Sequence, residues 1–238
     1  MPRPTQLIVG KPINAREKPM LLKLNPLLQA KFPGLSAEIV YINSVKVEAE
    51  DAGLEAFKFE VFSRIKARWN IDELREHPIF RAYRDFFWKV GVDPTKTRPA
   101  AEALIRRVLR DSPIPRINTL VDAYNLASVE TSIPFAAFDL ERLVGEPVMR
   151  EAKPGEEFLG IGMDKPLILG GGEPVIQDTE KLIAVYPHRD AEASKVTLET
   201  RDVLLLTCGV PGVDEETLRK AEAVAVSYVT RFCGGKSG

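Results

Sequence analysis

Two cysteines, Cys208 and Cys233, and two histidines, His77 and His188, are all that 238 residues offer of the side chains that build disulfides and soft-metal sites. They form no Cys-x-x-Cys pair and no zinc-ligand spacing, which excludes a disulfide scaffold, a zinc module and a dithiol redox motif. Free thiols in a reducing cytoplasm are the expectation. No apolar run approaches the ~20 residues that span a bilayer, and the one in MPRPTQLIVGKP is too short for a signal peptide. An excess of either charge is missing too. With 33 Lys and Arg against 34 Asp and Glu, no global field marks a nucleic-acid binder, although a local patch is still permitted. Internal repeats, low-complexity blocks and long polar linkers are absent, so one cytoplasmic domain with a substantial core is expected.

Residues 1–37, rich in proline and lysine with broken apolar runs, are expected to form an irregular lead-in, and residues 38–238 the domain. Glu38–Val47 is predicted to be a strand from its β-branched and aromatic content. From Asp51 the period becomes helical, with Leu54, Phe57, Val61, Ile65 and Trp69 on one stripe. A second helix runs to Gly91, a third from Pro99 to about Arg110, and a fourth over INTLVDAYNLASVET. After Pro134 the pattern changes to short strands, at Pro147–Arg150, Glu157–Ile161, Leu167–Leu169, Lys181–Tyr186, Lys195–Thr200 and Val203–Thr207. A last helix starts at Asp214 as N-cap and stops at Gly234. Helices first and strands later, without βα alternation, predict an α+β fold.

Two blocks carry a family signature: FRAYRDFFWKVGVDPTKTRPAAEALIRRVLR (Phe80–Arg110) and PRINTLVDAYNLASVETSIPFAAFDLERLVG (Pro115–Gly145). The second resembles the stretch of the phenylalanyl-tRNA synthetase β subunit where an Asn-x-x-Val-Asp-x-x-Asn helix leads to a Pro-x-x-x-Phe-Asp strand. The matching residues are Asn118, Val121, Asp122, Asn125, Pro134, Phe138 and Asp139. The first block is similar to a stand-alone branch of the same B3/B4 family, and the likeness extends over about Ile39–Gly235. The resemblance implies a single layered B3/B4-type domain, a β-sandwich of unusual topology flanked by helices. It also implies trans-acting hydrolysis of mischarged aminoacyl-tRNA, a step in translation quality control. That chemistry calls for no metal and no redox cofactor. The implied partners are an aminoacyl-tRNA and a synthetase, with no membrane and no DNA. The alternative is a non-catalytic module that holds an aminoacyl group or tRNA end for a synthetase. Two positions depart from the family pattern. Ala136 stands where the synthetase has a pocket histidine, and Tyr124 replaces a threonine, which argues against carrying over that domain's preference for tyrosine mistakenly esterified to the phenylalanine tRNA.

Cleaving an aminoacyl ester requires an amino-acid pocket, a positioned water and a stabilised oxyanion. His188, followed by Arg189 and Asp190, either orients that water or holds a carboxylate, or is a half-exposed turn histidine. Asp190 and Asn118 join His188 as catalytic candidates, with Arg189 as a substrate contact, unless Arg189 and Asp190 pair with each other as a surface turn. Asn118, Asp122 and Asn125 share one helix face. They line a pocket beside Tyr124 and Ala136, or they cap and hydrogen-bond locally. Ser194, Lys195 and Thr197 are weaker substrate-binding candidates. Cys208 follows an apolar run, as an inert core thiol does, and Gly170–Gly172 lacks the Lys-Ser/Thr of a phosphate loop. From Arg81 to Arg116, nine basic residues face four acidic ones. Within them Arg98, Arg106, Arg107 and Arg110 are the RNA-binding candidates, against the simpler reading of a solvated helix face.

Overall fold

The computed structural model describes residues 20–237. Residues 1–19 of the expected lead-in lie outside that range. The rest of it is regular rather than irregular, with β1 (Met20–Leu21), β2 (Lys23–Leu24) and α1 (Pro26–Lys31). The Asn25 side chain accepts the Leu27 N–H at 2.9 Å and Pro26 takes the first helical position, so local capping starts a helix that periodicity does not reveal. Leu22, Leu28, Phe32 and Leu35 are buried in the main core.

β3 (Ala37–Asn43) ends four residues before the expected Val47, because Ser44 turns to a φ of 60° and gives its N–H to the Asp202 carboxylate. The helices follow as foreseen: α2 (Ala52–Arg68), α3 (Pro78–Lys89), α4 (Ala100–Leu109) and α5 (Thr119–Thr131). Pro99 is the N-cap of α4 rather than its first turn. Then come β4 (Phe135–Asp139), β5 (Val148–Glu151), β6 (Glu157–Phe158), β7 (Leu167–Ile168), β8 (Pro174–Gln177), β9 (Leu182–Val185) and β10 (Arg189–Asp190). The chain ends in β11 (Val203–Cys208), α6 (Glu215–Cys233) and β12 (Lys236–Ser237). The expected strand at Lys195–Thr200 is instead a turn joined to β4 by a single bridge at Lys195. The Thr200 hydroxyl takes the Thr197 N–H and donates to Asp139, and this side-chain bonding displaces a ladder.

The first sheet has the order β1-β3-β11-β4, with β12 also on β3, and every pairing is antiparallel. The second runs β10-β9-β8-β5-β2 and is antiparallel except for β2 beside β5. β6 and β7 form a separate hairpin sheet. β3, β4 and β11 are buried along nearly their whole length, which explains their continuous apolar runs. One face of this first sheet meets the second sheet in a shared core that includes Phe138, Leu204, Met149, Ile176 and Ala184. α6 covers the other face and packs on α5, and a second cluster joins α2, α3, α4 and α5. The architecture is α+β. No helix among the described residues is long and apolar enough to cross a membrane.

Under α6 lie two buried carboxyls. Glu38 on β3 and Glu222 on α6 each keep one oxygen without a hydrogen-bond partner among the described residues. Burial, and then the charge of Glu38, raise the Glu222 pKa to about 7. A carboxyl whose folded pKa is raised stabilises the fold below its unfolded pKa, and that contribution is lost as pH rises through about 7. Urea denaturation should therefore show Glu222→Gln more stable than the parent at pH 8, by on the order of 1–3 kcal/mol, with most of the gain gone at pH 5. Equal differences at the two pH values would refute this account of the pair.

Candidate active site

Between the two sheets, where β4 and β11 face the end of β9, lies a pocket of about 100 Å³. Its floor is aliphatic, with Ala136 of β4 and Leu206 and Cys208 of β11. Ala136 and Leu206 are direct antiparallel partners, so the two side chains emerge on the same face of the sheet. Opposite them β9 contributes Ala184 and Val185, and the turn into β10 supplies His188, Arg189 and Asp190. Ala100, the first residue of α4, completes the rim. Pro99 provides no side-chain cap, so the positive end of α4 borders the pocket.

Asp190 is the unusual group. Its carboxyl is half-buried, and desolvation raises its pKa to about 7, only partly offset by the charge of Arg189. No hydrogen bond or ion pair within the described residues neutralises it. His188 moves the other way, since burial and then the Arg189 charge lower its pKa and hold the ring neutral. Its Nδ1 is buried without a hydrogen-bond partner among the described residues, and its ring stands edge-on to Phe87 at 6.2 Å. Arg189 points outward, with Nη1 at 3.4 Å from the Ile161 carbonyl. Its stem lies over Gly160, where a Cβ would come within 2.3 Å of the Arg189 Cδ. Gly160 is therefore glycine because another chain segment occupies the side-chain space. Tyr124 of α5 is buried, and its hydroxyl is kept protonated by desolvation and by the nearby Asp190 and Cys208. Burial also pushes the Cys208 thiol up, away from the reactive thiolate.

Five of the residues anticipated from sequence thus converge: Ala136, His188, Arg189 and Asp190 on the pocket, and Tyr124 behind it. Others do not. Asn118 is the N-cap of α5 and accepts the Val121 N–H at 3.0 Å. Asp122 is 6% exposed, holds Lys58 Nζ at 2.7 Å and accepts the Ile117 N–H at 3.0 Å. Asn125 is half-buried on α5, away from the pocket lining. Ser194 is wholly buried, Lys195 pairs with Glu192, and Thr197 bonds Glu199. Of the two alternatives for Asn118 and Asp122, the geometry is that of local bonding: a cap for the first and a buried ion pair for the second. Sequence reasoning missed Ala100, Ala184 and Tyr186 at the site. Nothing in a single sequence brings a helix start and a strand end together. Among the described residues no group of three or more His, Cys, Asp or Glu converges as a metal site.

A family model described as the B3/4 domain matches residues 82–234. The β subunit of phenylalanine–tRNA ligase from Methylococcus capsulatus is 28% identical over 228 residues, 86% of this chain and 27% of that one. The corresponding subunit from Yersinia pestis is 35% identical over 164 residues (59% and 20%). That from Thermotoga maritima is 36% identical over 118 residues (49% and 14%). The chain thus spans about a quarter or less of the length of these relatives. Among solved structures, an N-terminal fragment of the phenylalanyl-tRNA synthetase β subunit from Pyrococcus horikoshii superposes with a TM-score of 0.49 at 12% identity, over 91% of this chain and 49% of that one.

The division between pocket and scaffold is measurable. Asp122→Ala leaves the buried Lys58 ammonium with Glu55 at 2.6 Å as its remaining carboxylate and takes the acceptor from the Ile117 N–H, and should cost about 1.5–3 kcal/mol in denaturant unfolding. Asn118→Ala loses one cap and should cost about 1 kcal/mol. A loss below about 1 kcal/mol for Asp122→Ala would return that residue to the list of substrate contacts.

Proposed function

Because the chain belongs to the B3/4 domain family, we propose that it hydrolyses mischarged aminoacyl-tRNA in trans, with the pocket between the sheets as the site of ester cleavage. The observation that carries this reading is Asp190, a desolvated carboxyl with a pKa of about 7 that faces a pocket bordered by the positive end of a helix. A base with a pKa near the working pH combines the correct protonation state with useful proton affinity. In this reading Asp190 takes a proton from water, and the water oxygen attacks the ester carbonyl carbon. The oxyanion forms beside the first turn of α4, where the helix dipole and uncapped N–H groups favour negative charge. The tetrahedral intermediate then breaks its bond to the ribose oxygen, which receives the proton back from Asp190. Neutral His188 accepts a hydrogen bond from the water or from the substrate's ammonium group. The aliphatic floor at Ala136 and Leu206 receives the amino-acid side chain, and Arg189 at the rim meets the RNA end. The relatives support the substrate class, since each is a subunit of a phenylalanine–tRNA ligase.

A panel of tRNAs bearing correct and incorrect amino acids, incubated with excess protein, tests the reading. At least one should be deacylated faster than in buffer. Asp190→Asn should lower that rate about 100-fold or more. The protein-dependent rate should rise with pH to half its maximum near pH 7, because only the ionised carboxylate acts as base. If the protein binds aminoacyl-tRNA but accelerates no release, the non-catalytic holding module replaces this proposal.

A further inference from the structure

A second concavity lies on the same helix. Arg98, Arg106, Arg107 and Arg110, with Ala103 and Ser112, line a cleft of about 370 Å³, within the usual range of ligand sites. Residues 103, 106, 107 and 110 recur at helical spacing, so they share one face of α4, and Arg98 reaches in from the preceding turn. The charge balance is what singles this cleft out. Beneath it the wholly buried Glu102 accepts two hydrogen bonds from one edge of the Arg84 guanidinium, at 2.6 and 2.7 Å, and one from Arg106 Nε at 2.7 Å. One carboxylate shared by two guanidiniums leaves a net positive charge. Arg107 donates to the Pro113 carbonyl at 3.0 Å, a neutral acceptor that cancels none of its charge. Asp111, the nearest acid past the helix, is turned away to Lys66. Arg98 and Arg110 are exposed, and neither forms an ion pair among the described residues.

Four guanidiniums converging with a single shared counter-charge repel one another, and an oxyanion between them relieves that repulsion. Their planar forks match phosphate geometry better than lysines would. Direction comes from α4 itself. Its first residue, Ala100, borders the ester pocket, and Arg110 follows its last turn about 15 Å away at ~1.5 Å per residue. At roughly 3.4 Å per stacked nucleotide, that distance corresponds to about four nucleotides.

We propose that the arginine cleft is a phosphate-binding site, and that it grips the backbone of an RNA strand within about four nucleotides of the 3′ end placed in the ester pocket. The phosphate chemistry stands on the cleft alone, whereas the register of the strand rests on the deacylase reading. The source of the phosphate is separable by experiment. Binding of 5′-labelled, uncharged tRNA to the whole chain would be followed by anisotropy across a salt series, alongside calorimetry with inorganic pyrophosphate. The exposed pair Arg98→Gln/Arg110→Gln should weaken tRNA binding about 10-fold or more and reduce the log–log salt slope by about 1.4–1.8. Lys153→Gln/Lys165→Gln carries the same change in net charge outside the cleft and should move neither value. Thermal melting reports whether each variant keeps its fold.

Unchanged tRNA affinity and slope in the arginine variant, with pyrophosphate binding lost, would make the cleft a small-anion site and overturn the RNA half. Unchanged binding of both ligands overturns the proposal entirely. No hydrolysis is read in these assays, so a failed deacylation screen and a failed cleft remain distinguishable.

Discussion

β11 is the constraint on which the other elements depend. It is hydrogen-bonded along both edges, to β3 on one side and β4 on the other, and covered on both faces. Its backbone groups therefore cannot turn to water, and any shift in register would break two ladders at once. Its end is fixed further by two buried tyrosine hydroxyls. Tyr83 of α3 donates to the Cys208 carbonyl, and Tyr186, just after β9, donates to that of Gly209. Gly209 itself has no room for a side chain, since a Cβ would lie 2.5 Å from both Leu218 Cδ1 and the Ser36 carbonyl oxygen. One point thus holds a helix, the second sheet and the central strand together.

The pocket is a by-product of that arrangement. Leu206 and Cys208 on one face of β11 form its floor, and Tyr186 is both wall and anchor. On the opposite face Thr207 pairs in register with Glu38, under α6, so one strand serves a pocket-facing surface and a buried polar one in alternation. The desolvation that raises Asp190 has the same origin as the stability of the core, namely the close approach of two sheets. A carboxyl whose pKa is raised to about 7 is a group the fold holds in its ionised form at some cost, and Glu222 shows the same tension away from the pocket.

The ordered residues behind the family likeness belong to the scaffold. Asn118 caps α5, Asp122 neutralises Lys58, and Asp139 accepts from Thr200. Each answers a backbone or charge requirement that would otherwise stay unmet in the interior.

Helix positions, the α+β class and the basic run around α4 were legible in the sequence, because 3.6-residue periodicity, caps and charge clustering are local properties. The helix at Pro26–Lys31 and the strand at Pro174–Gln177 escaped, being too short to show a period and dependent on partners far along the chain. The grouping of Ala136, His188, Arg189 and Asp190 was only half visible, as one motif and one turn. The tertiary structure alone decided that the two meet, and that Ala100 closes the rim. It also separated Asp122 from the site, because only three dimensions place the Lys58 ammonium within 2.7 Å of it. Burial, which sets the pKa of Asp190, is a sum over distant neighbours that no local pattern encodes.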